Sequence, residues 1–301
     1  MEQKTEFEVI IVGAGPSGLA AALTLLEEGI SDLIVIERFE FPRYKCCAGY
    51  ITGKTKAVYG TFGLNIEEAH YSLIRDFNIF YRLKKRQTIL NKFLYTNRMI
   101  DRVELDNAFA ELAKSKGIQI KENTTISEHD ADKKELKLSN GEILTYEKLI
   151  FADGTSGFGS RLQPARKKNI AMQLVFPNSA AEEIQIHFGI TKHGYGWVSS
   201  YGGFTNVGLT DVFDKSVNYH EVFAGFLKQL GLQADMSKLR GAFTPMKVGE
   251  GKACEDIYFV GDAVGACDPM TLSGLRYGLD SGRLCAEAIA YVFNHFFVNK
   301  K

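Results

Sequence analysis

Val9-Ile10-Ile11-Val12 is an unbroken apolar, β-branched run, the pattern of a parallel strand buried on both faces. After it Leu19, Leu23 and Leu26 recur at helical spacing and predict a helix from Pro16 to Glu28, and a second apolar run, Leu33 to Ile36, predicts the next strand. A loop then fills Phe39 to Gly53, followed by a helix over Lys54 to Gly63. Leu73 to Tyr95 alternates in polarity and predicts antiparallel strands. Asp101 opens an amphipathic helix with Val103, Leu105, Phe109, Leu112 and Ala113 on its apolar side, ending near Gly117. Ile118 to Gly141 holds short strands with an Asn140-Gly141 turn, and Lys148 to Ala152 is a buried strand stopping at Asp153-Gly154. From Ala171 to Phe213 the pattern is strand again: Gln173 to Phe176, Glu183 to Phe188, Trp197 to Tyr201 and Asn206 to Leu209. Tyr219 to Leu230 and Gly274 to Phe297 are helices. Interleaving of parallel-type with antiparallel-type blocks indicates an α/β chain in which a discontinuous doubly wound domain (1–72, 96–165 and 250–301) carries an inserted β-rich domain (73–95 and 166–249).

The first strand closes on Gly13-Ala14-Gly15-Pro16-Ser17-Gly18. Gly13 permits the tight turn, Gly15 lets backbone approach a pyrophosphate, and Gly18 allows close packing of helix on strand. The N-terminus of the helix offers free N–H groups and a positive dipole to phosphate. Glu37, at the end of the second strand, is placed to accept hydrogen bonds from a ribose. A bare glycine fingerprint is weak; strand, fingerprint, helix, strand and terminal Glu in forty residues is strong, and it specifies a dinucleotide.

Composition narrows the class. The 301 residues are 45% hydrophobic and 24% charged with a formal net charge of zero, the profile of a soluble globular protein without a basic patch for nucleic acid. The N-terminus is polar and carries no signal peptide, and no apolar run spans a bilayer, so a cytoplasmic location is expected, with membrane association left open. Five cysteines without CxxC and six scattered histidines form no metal or disulfide framework. Cys46 and Cys47 are adjacent and read as free thiols in a reducing compartment.

A second motif stands near the other end: Tyr258-Phe259-Val260 closing on Gly261-Asp262-Ala263. It resembles the flavoprotein segment whose Asp holds the ribityl chain of FAD. Phe41-Pro42-Arg43-Tyr44-Lys45-Cys46-Cys47-Ala48-Gly49 looks like an F-P-R-x-K-x-C-G-G loop, with Ala48 replacing its first glycine. Arg102 and Asp106 match an R-x-x-x-D helix start, and Asp153-Gly154 a D-G motif. Gly194-Tyr195-Gly196-Trp197 with Asn206-Val207-Gly208 resembles G-Y-x-W…N-V-G, and Gly261-Asp262-Ala263-Val264-Gly265 through Asp268-Pro269 to Ala288-Ile289 extends the match. Over nearly its whole length the chain resembles the geranylgeranyl reductase family of flavoproteins, which share the para-hydroxybenzoate hydroxylase fold. Leu272-Ser273-Gly274-Leu275 stands where that family has G-E-G-I; Gly274 still allows backbone N–H groups to reach the flavin. Typical members continue past the closing helix, and this sequence ends at Lys301.

The resemblance implies a discontinuous Rossmann-like FAD-binding domain with an inserted antiparallel β-sheet substrate domain. It implies FAD as cofactor and NAD(P)H as a transient donor. The cofactor contacts it implies are Gly13, Gly15, Pro16, Ser17, Gly18, Glu37, Arg38, Lys45, Cys47, Ala48, Arg102, Asp153, Gly154, Gly261, Asp262, Gly274 and Leu275. Cys47 is the candidate catalytic acid, weighed against a plain packing role. Tyr195, Trp197 and Tyr201 are the candidate substrate-pocket residues, weighed against ordinary cross-strand pairs. Arg43 and Lys45 are read either as an attractor for a nicotinamide or lipid phosphate or as solvated loop charges. His187 and His193 are disfavoured as proton donors. Three activities follow as expectations: reduction of a C=C bond in an apolar or isoprenoid-like substrate, hydroxylation by a monooxygenase using NAD(P)H and O2, or electron transfer to a redox partner protein. Halogenation is disfavoured, because Trp197 is the only tryptophan. The fold constrains the cofactor more than the reaction.

Overall fold

The computed structural model describes residues 4–69, 71–74, 76–90, 97–163, 167–177, 183–246, 255–268 and 271–296. In chain order the elements are β1 (Glu6–Val12), α1 (Pro16–Glu27), β2 (Leu33–Ile36), β3 (Tyr50–Ile51), α2 (Gly53–Thr61), β4 (Tyr71–Leu73), β5 (Asp76–Tyr81), β6 (Lys84–Leu90), β7 (Arg98–Ile100), α3 (Arg102–Ser115), β8 (Gln119–Lys121), β9 (Ile126–Asp130), β10 (Glu135–Leu138), β11 (Ile143–Phe151), α4 (Phe158–Leu162), β12 (Lys168–Pro177), β13 (Glu183–Phe188), β14 (Tyr195–Tyr201), β15 (Phe204–Val212), α5 (Tyr219–Gln229), β16 (Arg240–Pro245), β17 (Ile257–Phe259) and α6 (Leu275–Phe296). Residues 91–95 of the expected strand block, the expected match at Pro269 and the expected helix end at Phe297 lie outside the described residues.

β1 pairs in parallel with β2 and β11, β2 with β8, and β11 with β17, giving the doubly wound sheet order β8-β2-β1-β11-β10-β9 with β17 beside β11. All of β2 and the last four residues of β1 are buried, as their unbroken apolar runs require. α1 departs from a simple amphipathic helix. Every residue from Gly18 to Leu25 is buried, since α3 and α6 also pack on it and Ala20, Ala21 and Ala22 keep it thin. α3 opens where the sequence placed it: the Asp101 carboxylate caps the Val103 N–H at 2.7 Å.

The second sheet runs β16-β12-β15-β14-β13-β5-β6. Its pairs are antiparallel apart from β13 with β5, which is parallel. Period-two alternation divides its faces. Val207, Leu209 and Leu174 pack against Phe223, Phe226 and Leu227 of α5 on one side. Tyr195, Trp197, Ile184, Ile186, Phe77 and Ile79 face a cavity on the other. A small sheet, β3-β7-β4, lies between the two large ones in sequence and carries the end of the cysteine loop. No helix among the described residues is long and apolar enough to cross a membrane.

Candidate active site

A cavity of about 1310 Å³ collects most of the candidate residues. The turn after β1 and the start of α1 bring Gly13, Gly15, Pro16 and Ser17 to its wall; β2 brings Glu37 and Arg38; the loop before β3 brings Lys45, Cys47 and Ala48. α3 supplies Arg102, the end of β11 supplies Asp153 and Gly154, and the segment into α6 supplies Asp262, Gly274 and Leu275. Tyr195 and Trp197 form part of the opposite wall.

Three candidates lie off the wall. Gly18 sits under the turn, where a Cβ would stand 1.9 Å from the Gly13 carbonyl oxygen, so its absence allows the turn to close. Gly261 has φ +60, and a Cβ there would meet Ser17 Oγ at 2.1 Å. Tyr201, expected in the substrate pocket, is buried instead with Ile74, Met99 and Ile184. It shares a face with Trp197, but four residues along β14 carry it past the cavity and under the small sheet.

The electrostatics centre on two buried carboxylates. Glu37 accepts the Ala14 N–H at 2.9 Å and the Phe39 N–H at 3.1 Å, so it braces the glycine turn as well as facing the cavity. Arg102 forks onto Asp106 with Nε–Oδ1 at 2.9 Å and Nη2–Oδ2 at 3.1 Å. Burial opposes the Arg102 charge, but the Asp106 carboxylate outweighs it and holds the pKa above its ordinary value. Removing one partner of such a pair typically costs about 3–5 kcal/mol. Arg43 joins the two carboxylates, with ion-pair distances of 3.6 Å to Glu37 and 3.5 Å to Asp106. It is therefore not a solvated loop charge, and it stays on the cavity wall. In the sequence Arg102 and Asp106 stand only as a motif match, although their i, i+4 spacing is a local signal for the pair; no local pattern announces that Arg43 crosses to both acids.

Burial pushes the Asp153 carboxyl up to about 6, against the Gly159 N–H and the nearby Arg38 and Arg161 guanidinium groups. Its Oδ2 accepts the Gly159 N–H at 2.8 Å, while its buried Oδ1 has no hydrogen-bond partner among the described residues. Burial also pushes the Cys46 thiol up to about 12. Cys46 Sγ points to the Ala171 carbonyl at 3.8 Å, whereas Cys47 Sγ accepts the Gly49 N–H at 3.5 Å. Cys46, Cys47, Cys267 and Cys285 are free. Tyr195, raised to about 12 by burial, donates its hydroxyl to the Thr271 carbonyl at 2.6 Å and ties the second sheet to the loop before α6. His187 faces away from the cavity, stacked on Phe80, and burial lowers it to about 4. His193 is not on the cavity wall either.

A glycine-lined wall at a helix N-terminus, a buried acid at the end of β2 and Asp262 beside Gly274 suit an extended dinucleotide. A Cβ on Gly274 would stand 3.1 Å from Asp262 Oδ1. The unpaired Asp153 Oδ1 marks a polar edge awaiting a partner.

Residues 6–157 match the family described as FAD binding domain, and the chain belongs to that family. Within this class it is an FAD-dependent oxidoreductase that resembles geranylgeranyl-reductase-like flavoproteins. An uncharacterized protein of Methanosarcina barkeri is 27% identical over 95% of this chain and 75% of its own length. The menaquinone reductase of Mycolicibacterium smegmatis is 25% identical over 94% and 76%. The digeranylgeranylglycerophospholipid reductase of Methanocaldococcus jannaschii is 24% identical over 93% and 76%. Among solved structures, a geranylgeranyl bacteriochlorophyll reductase-like protein of Thermoplasma acidophilum superposes with a TM-score of 0.78 at 19% identity, covering 96% of this chain and 79% of that one. PqsL of P. aeruginosa in complex with 2-aminobenzoylacetate gives 0.76 at 14% identity, covering 96% and 88%. At these identities the structures speak for the fold alone.

Proposed function

We propose that the protein reduces a carbon–carbon double bond of an apolar, isoprenoid-like substrate, with NAD(P)H as the transient electron donor. The observation that carries this reading is the shared cavity: the apolar strand wall of Phe77, Ile79, Ile184, Ile186 and Trp197 faces the same space as the glycine cradle, with Cys47 also on its wall. The names of the M. smegmatis and M. jannaschii relatives, a menaquinone reductase and a digeranylgeranylglycerophospholipid reductase, favour reduction of a lipid-like molecule.

Gly13, Gly15, Ser17, Glu37, Asp262 and Gly274 would hold FAD, which supplies two-electron redox chemistry when bound. The chain's own residues do the rest. The apolar strands strip water from a hydrocarbon substrate and orient it. Cys47 keeps a proton at Sγ for the substrate carbon. The Arg102–Asp106 fork fixes the guanidinium on the cavity wall with its charge balanced by the carboxylate.

The test is anaerobic reduction with NADPH and with NADH, then reoxidation with oxygen and with polyprenyl alkenes. Alkene turnover with slow oxygen reaction is the expected result. Fast oxygen consumption only with substrate bound would make the protein a hydroxylase. Electron delivery to a partner protein without any small-molecule product would make it an accessory flavoprotein.

A further inference from the structure

Asn206 and Gly208 lie on β15 beside Trp197 on β14, with Trp197 opposite Gly208 and Ser199 opposite Asn206. A Cβ on Gly208 would stand 2.0 Å from the Trp197 ring, so the indole lies over a position that only glycine can occupy. The indole Nε1–H donates to Asn206 Oδ1 at 3.0 Å, and both residues are buried. Asn206 Nδ2 in turn donates to the Cys47 carbonyl at 3.3 Å, across 159 residues of chain. An indole N–H can only donate and a carbonyl can only accept, so both neighbours demand the same amide orientation. The cysteine loop has a second anchor at Gly49, whose carbonyl accepts the Ile100 N–H at 2.9 Å.

We infer that Asn206 is a positioning residue that fixes the Cys47 segment against the Trp197 wall of the substrate pocket. The N-V-G segment thus serves one device: Gly208 makes room for the indole, and Asn206 reads its N–H and passes that constraint to the cysteine loop. The acid candidate and the substrate wall come from distant parts of the chain, and among the described residues Asn206 is the side chain that hydrogen-bonds to both segments.

Asn206→Asp separates the two links. It keeps an acceptor for the indole, removes the donor to Cys47, and sets a carboxylate against a carbonyl. In the FAD-loaded protein, iodoacetamide labelling of Cys47 is followed by tandem mass spectrometry, which distinguishes it from Cys46. Labelling of Cys47 should be at least threefold faster in the variant, with flavin content unchanged. Emission from Trp197, the only tryptophan, should keep its wavelength because its acceptor remains. If Asn206→Asp does not fold, Trp197→Phe releases the other end of Asn206 and should also speed Cys47 labelling. Unchanged labelling in whichever of these variants folds overturns the proposal. The kinetic arm rests on the reductase reading: kcat for alkene reduction should fall at least tenfold with little change in KM. An inactive wild-type protein whose Asn206→Asp variant still labels faster would sink the reductase reading and leave the positioning role standing. Wild-type turnover with unchanged labelling in the variant would do the reverse.

Discussion

Ser17 lies directly against Gly282: a Cβ at Gly282 would stand 2.1 Å from the Ser17 carbonyl oxygen. Gly261 and Gly278 approach the same serine, where a Cβ would meet Ser17 Oγ at 2.1 Å and 2.7 Å. The glycine fingerprint after β1 is therefore seated in a notch of the closing segment, and the two ends of the chain build one cradle. Gly282→Ala should disturb this seat, because the obstructing atom is backbone. Overpacking of this kind costs about 1–3 kcal/mol. A lowered thermal midpoint and weaker FAD retention are expected. Gly225→Ala in α5, where a Cβ meets nothing within 4 Å, is the contrast. That substitution should be neutral or stabilising by up to about 1 kcal/mol. Thermal melts of the two variants decide the matter; equal losses would remove the packing argument.

Asp262→Ala should weaken FAD retention. A charge-assisted hydrogen bond from a ribityl hydroxyl is worth roughly 1.5–3 kcal/mol, so the dissociation constant should rise about 10-fold or more. Fluorescence titration of apoprotein with FAD measures it. A change below about twofold in a folded variant would assign the ribityl contact elsewhere. Cofactor released on denaturation of the wild type should chromatograph as FAD, with FMN the contrary result.

Asp153 makes stability pH-dependent. Burial holds its folded pKa at about 6, above the ordinary carboxylate range, so the folded state binds the proton more tightly. Its contribution is fully present below about pH 4 and is lost as pH rises through about 6. By linkage the loss amounts to roughly 2–3 kcal/mol. Denaturant unfolding of apoprotein at pH 4 and pH 7 should show Asp153→Asn, which cannot ionise, gaining on the wild type across this window, because His187, lowered to about 4, titrates alike in both proteins and drops out of the difference. Parallel pH profiles for the two proteins would contradict the burial of this carboxyl.

Cys47→Ser should slow product formation by about 10²-fold or more, the range of general acid–base participation, while leaving NAD(P)H reduction of the flavin nearly intact. Cys46→Ser should be milder, since its sulfur is turned toward the Ala171 carbonyl. Single-turnover kinetics separates the two half-reactions. Equal losses in both variants would leave Cys47 only a packing role.

The cofactor class was legible in the residues because it rests on local requirements. A turn that needs Gly13, a helix packed at Gly18 and a carboxylate ending β2 must occur at fixed spacing, and spacing is visible in a sequence. Most strand and helix positions followed for the same reason, since buried parallel strands and amphipathic helices write their periods into the chain; the short β3, β7, α4 and β16 carried no such period and were not anticipated. What tertiary structure alone decided concerns residues far apart in the chain. That Arg43 bridges Glu37 and Asp106, that Tyr201 passes beyond the pocket while Trp197 lines it, and that Asn206 reaches the Cys47 carbonyl all depend on how the two large sheets meet. Side-chain alternation fixes which face of a strand a residue occupies, but not where along that face the cavity ends. Hydrogen bonds spanning over a hundred residues arise only after packing has brought their partners together, so no local pattern records them.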